Sequence, residues 1–206
     1  MLRGDGRSFS AGLDRAMFTP EGVPGAPGIV ALTEMSQSDA TARIQAWQRA
    51  FDWVSRPSIV SIAAVRGHAI GGGFQLALGA DIRIVADDAS FVMAEPKLGI
   101  VPDLGGTKRL VDLVGYSRAA EICLTARPVG ADEALRIGLV TRVTEPEELL
   151  GGALTMARSI IEAPQAALET AKRYLIGSAS ATFEDAFAVE HDQVFDEFLL
   201  GRPGPL

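Results

Sequence analysis

At 206 residues the chain is long enough for one domain with a full hydrophobic core. Its 48% hydrophobic and 22% charged residues are ordinary for a soluble globular protein, and a net charge of −7 argues against general nucleic-acid binding. A single cysteine, Cys123, excludes an intramolecular disulfide and fits a reducing compartment. No apolar run approaches transmembrane length and no signal-peptide pattern is present, so a cytoplasmic protein without a membrane partner is expected.

Met1 to Phe9 reads as a short strand that enters a small-residue turn, Gly6-Arg7-Ser8-Phe9-Ser10-Ala11-Gly12-Leu13-Asp14. Pro20, Gly22, Pro24, Gly25, Pro27 and Gly28 forbid regular structure through most of Phe18 to Ser38, a loop long enough to act as a lid. Asp39 to Val54 is a predicted amphipathic helix. Ile44, Trp47, Phe51 and Val54 recur at spacings of three and four, Ser38 or Asp39 can cap its start, and Pro57 lies past its end. On this reading Trp47 is a core residue. Ser58 to Val65 is a nearly continuous apolar run, the pattern of a strand buried on both faces.

Gly71, Gly72 and Gly73 follow, and Phe74 to Leu78 continue as a helix. Glycines let backbone N–H groups approach a ligand closely. The first N–H groups of a helix lack internal partners and carry the positive end of its dipole, so a negative oxygen is a natural guest. If that oxygen forms only in a transition state, the turn is an oxyanion hole, with Leu13 N–H as the candidate second donor. The glycines could equally serve only tight strand–helix packing, and the spacing alone leaves both readings open. Proton carriers would be Glu95 and Asp103, eight residues apart around an apolar LGIVP. Phe91, Val92, Met93, Leu98 and Ile100 would desolvate Glu95.

Asp81–Val85 and Ala89–Met93 read as strands. Helices are expected over Leu104–Leu113, Ser117–Thr125, Ala131–Ile137, Glu147–Ile161 and Gln165–Leu175. Cys123, in AEICLTA, is expected in the core rather than as a nucleophile. Thr182 and Asp185 form a capping box for a last helix, Phe183–Leu200, stopped by Gly201 and Pro203. Alternating strands and helices followed by helices alone indicate an α/β core with a helical C-terminal part.

Four segments in order, GRSFSAGLD, VRGHAIGGGFQLALGADIRI, FVMAEPKLGIVPDLGGTKRL and GADEALRIGLV, resemble the crotonase superfamily, the enoyl-CoA hydratase/isomerase family. The resemblance covers about Leu2 to Ala163. It implies an α/β ClpP/crotonase spiral of ββα units over residues 1–145 and a helical oligomerisation region over 146–206. It also implies a homotrimer or dimer of trimers, acyl-CoA thioester substrates, and no cofactor or metal beyond the CoA of the substrate. Family members carry a ββα turn before the first motif. The spiral is therefore expected to lack that turn, through a mis-called start or a truncated gene. The ending GRPGPL departs from the family, whose last helix helps cover CoA.

The resemblance places the oxyanion donors at Leu13 and Gly72 and the catalytic acids at Glu95 and Asp103, with substrate contacts at Arg7, Ala11, Gly71 and Gln75. Arg7 matches a basic position near CoA phosphate, although a solvated arginine explains it equally well. His68 is expected to pack rather than react. The family's hydratases carry a second glutamate where this chain has Gln75, and an amide cannot accept and return a proton at neutral pH. Gln75 could hold a water or the thioester instead. Asp103 is the partial substitute. These features rank double-bond isomerisation first, hydration second and thioester hydrolysis third, with a non-catalytic CoA-binding relative as the alternative of another class.

Overall fold

The computed structural model describes residues 1–194. Its centre is β2 (Ile62–Val65), four apolar residues that are all buried. β2 pairs in parallel with β1 (Leu2–Arg3) on one side and β4 (Ile82–Ala86) on the other, and β4 pairs in parallel with β7 (Arg142–Thr144). A second sheet runs β3 (His68–Ile70), β5 (Ser90–Val92) and β6 (Val129–Gly130), with the last pair antiparallel. β2 continues almost directly into β3, and β4 into β5. Each pass of the chain thus lays one strand in each sheet before a helix returns it, which is the expected ββα spiral.

Successive side chains of β2 point to opposite faces. Ala63 and Val65 enter the main core with Phe74, Phe91, Leu110, Ile122 and Leu139, where the Phe74 and Phe91 rings lie 5.1 Å apart. Ile62 and Ala64 face the other way, with Ile84 and Ala86, and are covered by Leu149 and Ala153 of α6 (Leu149–Ile161). The remaining helices are α1 (Gln37–Arg49), α2 (Gly72–Gly79), α3 (Gly106–Val114), α4 (Tyr116–Thr125), α5 (Ala131–Arg136), α7 (Gln165–Ser178) and α8 (Phe183–Val194). The expected helix over Phe183–Leu200 is present as far as Val194; its remainder and the GRPGPL ending lie outside the described residues. Thr182 caps α8 as expected, its Oγ1 accepting from Asp185 N–H at 3.1 Å.

Two buried cations tie the layers together. Arg83 on β4 is 4% exposed; its Nε donates to Leu139 O at 2.7 Å, and its Nη1 donates to Ala80 O and, at 3.4 Å each, to Ala77 O and Leu78 O. It thereby caps the carbonyl end of α2, where Ala77 O also accepts from Ala80 N–H at 3.3 Å. Burial brings its guanidinium down to about 10, against the raising effect of Asp81, so it is charged at neutral pH. Lys172 of α7 is 6% exposed and donates to Val54 O at 3.0 Å, to Asp81 Oδ2 at 2.8 Å and to Ile59 O. Asp81 Oδ2 also accepts from Ser61 N–H and Oγ, at 2.7 and 2.9 Å.

That cluster explains one departure from the sequence pattern. Ser58 to Ser61 is apolar enough for a strand, but its polar groups are claimed by Lys172 and Asp81, and β2 starts only at Ile62. The helix expected over Asp39–Val54 ends at Arg49, and a separate 3-10 turn covers Asp52–Ser55. Its cap is Ser36, whose Oγ accepts from Asp39 N–H at 3.2 Å. No residue of α1 is fully buried, and Trp47 is only half-buried, so it is not a core residue within this chain. The N-terminal strand shrinks to Leu2–Arg3, and the irregular 18–38 segment contains a 3-10 turn over Ile29–Glu34.

Candidate active site

The site forms where three segments meet at the start of α2. Gly71 has φ 53° and ψ −121°, a conformation closed to L-residues with a side chain, and turns the chain from β3 into the helix. Its N–H donates to Val92 O at 2.8 Å, which fixes the turn to β5. The first turn of the chain arrives alongside: Ser10 N–H donates to His68 O and Ile70 N–H to Ser10 O, both at 3.0 Å. A Cβ on Gly12 would lie 2.7 Å from Ile70 O and 3.7 Å from Gly72 N, so the Gly12–Leu13 and Gly71–Gly72 turns are in contact. Among the described residues neither Leu13 N–H nor Gly72 N–H donates to a protein group. Leu13 is 46% exposed, and Arg7 and Ala11 are exposed as well.

Glu95 enters from β5. It opens a 3-10 turn, Glu95–Leu98, and is 6% exposed. Its Oε1 would sit 3.2 Å from a Cβ on Gly71, so the carboxylate rests against the glycine turn. Oε1 accepts from Gln75 Nε2 at 2.7 Å; Oε2 is buried and accepts from no described protein group. Gln75 is 1% exposed, and its Oε1 accepts from Leu104 N–H at 2.9 Å and Gly106 N–H at 3.2 Å.

The residues singled out in the sequence therefore separate into two groups. Gly71, Gly72, Glu95 and Gln75 are joined by contact, with Leu13 beside them. Asp103 is exposed and is linked to the others only through the backbone: its carbonyl accepts from Gln48 Nε2 at 2.8 Å, and the next residue, Leu104, binds Gln75. No hydrogen bond joins the Glu95 and Asp103 carboxylates among the described residues. His68 is exposed on β3. Gln48, Leu104 and Gly106 escaped the sequence reading. Gly106 had a signal, since it stands in a glycine pair at a helix start: a Cβ there would come within 2.5 Å of Gln75 Cγ. Leu104 Cδ1 lies 3.6 Å from the Cβ position of Gly72 and roofs the turn with an apolar group.

Cys123 of α4 is half-buried, and its thiol is pushed up, first by burial and then by the negative charge of Glu95. Among the described residues no cluster of three or more His, Cys, Asp or Glu side chains could hold a metal ion. No described helix is long and apolar enough to cross a membrane.

The profile of the family described as Enoyl-CoA hydratase/isomerase matches residues 1–199. A short-chain-enoyl-CoA hydratase of Clostridium acetobutylicum is 42% identical over 131 residues, 64% of this chain and 50% of that protein. A carnitinyl-CoA dehydratase of Escherichia coli K12 is 42% identical over 126 residues, 61% of this chain and 48% of that protein. The chain thus spans about half the length of the curated relatives it matches. A Thermobifida fusca YX protein assigned as an enoyl-CoA hydratase, solved with acetoacetyl-CoA, superposes with a TM-score of 0.88 at 43% identity, covering 92% of this chain and 73% of that one. Pseudomonas aeruginosa DspI superposes with a TM-score of 0.81 at 32% identity, covering 95% and 75%.

Proposed function

The chain belongs to the enoyl-CoA hydratase/isomerase family, and from that premise we propose that it transforms an acyl-CoA thioester through an enolate, with double-bond isomerisation as its main reaction. One observation carries the reading. A buried carboxylate with one free oxygen, Glu95 Oε2, stands against a turn with two uncommitted N–H donors, and its side-chain partner is an amide.

A thioester carbonyl oxygen bound by Leu13 and Gly72 N–H would gain negative charge as a proton leaves C2. One such donor is worth about 3–4 kcal/mol in a transition state. Glu95 Oε2 takes the C2 proton of a 3-enoyl-CoA, the electron pair moves into the enolate, and the same oxygen returns the proton at C4 as the double bond shifts to C2–C3. Glu95 is the only group that carries the proton, and it ends the reaction in the state in which it began. Hydration is the second reading, supported by the names of the hydratase and dehydratase relatives; it would need Asp103 to act as a second acid across the site. The acetoacetyl-CoA complex of the Thermobifida fusca protein supports an acyl-CoA ligand for this site. Arg7 and Ala11 are the proposed contacts at the mouth. The proposed homotrimer or dimer of trimers would assemble through the C-terminal helices, where Phe183 and Phe187, 82% and 60% exposed and stacked at 5.8 Å, offer an apolar pair.

Incubation with a 3-enoyl-CoA in heavy water tests the reading. Deuterium uptake with migration to the 2-enoyl form is expected, and Glu95→Gln should abolish both without unfolding the protein. Uptake of the mass of water would make hydration the main reaction, and release of free CoA would make the protein a hydrolase. No exchange by the folded wild type would reduce it to a CoA-binding relative.

A further inference from the structure

Gln75 has a task of its own in this site. Its Oε1 accepts two backbone N–H groups, from Leu104 at 2.9 Å and Gly106 at 3.2 Å. Only an oxygen can accept both, so the amide has one orientation and Nε2 must face Glu95 Oε1, at 2.7 Å. At 1% exposure and with three hydrogen bonds, the side chain is held in that orientation. The two oxygens of Glu95 are consequently unequal: Oε1 is held by the amide, and Oε2 is buried without a protein donor.

A carboxylate at position 75 could keep both bonds to Leu104 and Gly106. Its second oxygen would then face Glu95 Oε1 across the distance now bridged by an N–H. Two carboxylate oxygens at hydrogen-bond distance must share a proton or separate. The amide removes that conflict and supplies a donor that fits an ionised Glu95. The same amide holds the turn that begins at Leu104, directly after Asp103, and leads into α3.

We infer that Gln75 is a positioning residue: it holds Glu95 by one oxygen, leaves Oε2 as the only proton-transfer atom, and thereby commits the site to one-base chemistry. This rests on the enolate reading above, in which Glu95 is the base. It assigns Gln75 to the support of the acid rather than to contact with the substrate.

The test compares wild type, Q75L, Q75E and E95Q by deuterium exchange at C2 of an acyl-CoA, by affinity for an unreactive acyl-CoA, and by thermal unfolding. Q75L removes all three hydrogen bonds. Q75E keeps the oxygen that Leu104 and Gly106 need and sets a carboxylate oxygen against Glu95 Oε1 in place of the donor. Misplacement of a reacting group by about 1 Å can cost about a hundredfold in rate, so both variants should lose roughly ten- to a hundredfold in kcat. Acyl-CoA affinity should change by less than about twofold, because binding shared by ground and transition states is untouched. Q75E keeps both backbone hydrogen bonds and should lose less stability than Q75L, so a Q75L protein that fails to fold leaves the question decidable. If Q75E exchanges at the wild-type rate while E95Q is inactive, the positioning role is overturned and the enolate reading stands. A parallel loss of affinity and kcat would also overturn it, in favour of a substrate contact. If E95Q itself exchanges normally, the enolate reading falls, and that outcome is distinct from the others.

Discussion

Replacing Gly71 by alanine should damage fold and chemistry by separable amounts. Its φ of 53° with ψ −121° lies in a region reserved for glycine, and holding a side-chain residue there costs about 1–3 kcal/mol. For a chain of this size each kcal/mol lowers the unfolding midpoint by about 2–4 °C, so a fall on the order of 5 °C is expected. The new Cβ would also stand 3.2 Å from Glu95 Oε1, closer than an ordinary contact. That oxygen cannot give way freely, because Gln75 Nε2 holds it at 2.7 Å. A carboxylate displaced by a few tenths of an ångström, beside a Gly72 N–H swung out of line, should lose at least about tenfold in turnover. Gly115→Ala is the matched comparison. Gly115 has φ 79° and ψ 161°, equally reserved for glycine, but its added Cβ meets nothing within 4 Å and its turn joins α3 to α4. Both variants should melt earlier, and only Gly71→Ala should lose C2 exchange when assayed well below its midpoint. Equal turnover by the two variants would refute the reasoning, since backbone strain alone would then account for Gly71.

Lys172→Met should remove the link between α7 and the segment before β2. It takes the ammonium donor from Ile59 O and from Val54 O, leaving the latter only Ser61 Oγ at 3.5 Å, and removes one of three donors from Asp81 Oδ2. Breaking a buried pair costs about 3–5 kcal/mol, and the lower end applies because Asp81 keeps Ser61. The midpoint should fall by roughly 10 °C; a change under about 2 °C would show that the cluster does not hold the layers together. Cys123 should alkylate slowly at neutral pH, because burial and then Glu95 push its thiol up and deplete the reactive thiolate. Glu95→Gln removes the second cause, so the alkylation rate should rise at a lower pH than in wild type. An unchanged rate–pH curve, followed by mass spectrometry, would mean that the carboxylate does not act on the thiol.

Local chemistry made the centre of the molecule readable. Gly71 to Gly73 before Phe74 marked the start of a helix, and α2 begins at Gly72. Asp81–Val85 and Ala89–Met93 were each placed within one or two residues of β4 and β5. What escaped was decided by partners distant in sequence. Periodicity asks for one helix from Asp39 to Val54, but Val54 O is held by a lysine from α7, and the chain breaks after Arg49 to deliver it. β3, β6 and β7 are two or three residues each, too short to show an alternation, and exist because a neighbouring strand supplies their hydrogen bonds. Within the site, Glu95 and Gly72 could be picked out by residue type and resemblance. The engagement of Gln75 could not, because two of its three partners are backbone N–H groups, which carry no sequence signature.

Arg83 has a consequence for the other end of α2. Eight residues make a helix only about 12 Å long. In so short a helix the negative pole stands near enough to weaken the attraction that the positive pole exerts on an incoming oxygen. The Arg83 guanidinium, bonded to the carbonyls of Ala77, Leu78 and Ala80, lays a full positive charge over that negative pole. What remains at Gly72 is nearer to a bare positive charge than to half of a dipole. The helix can then be short without forfeiting its field.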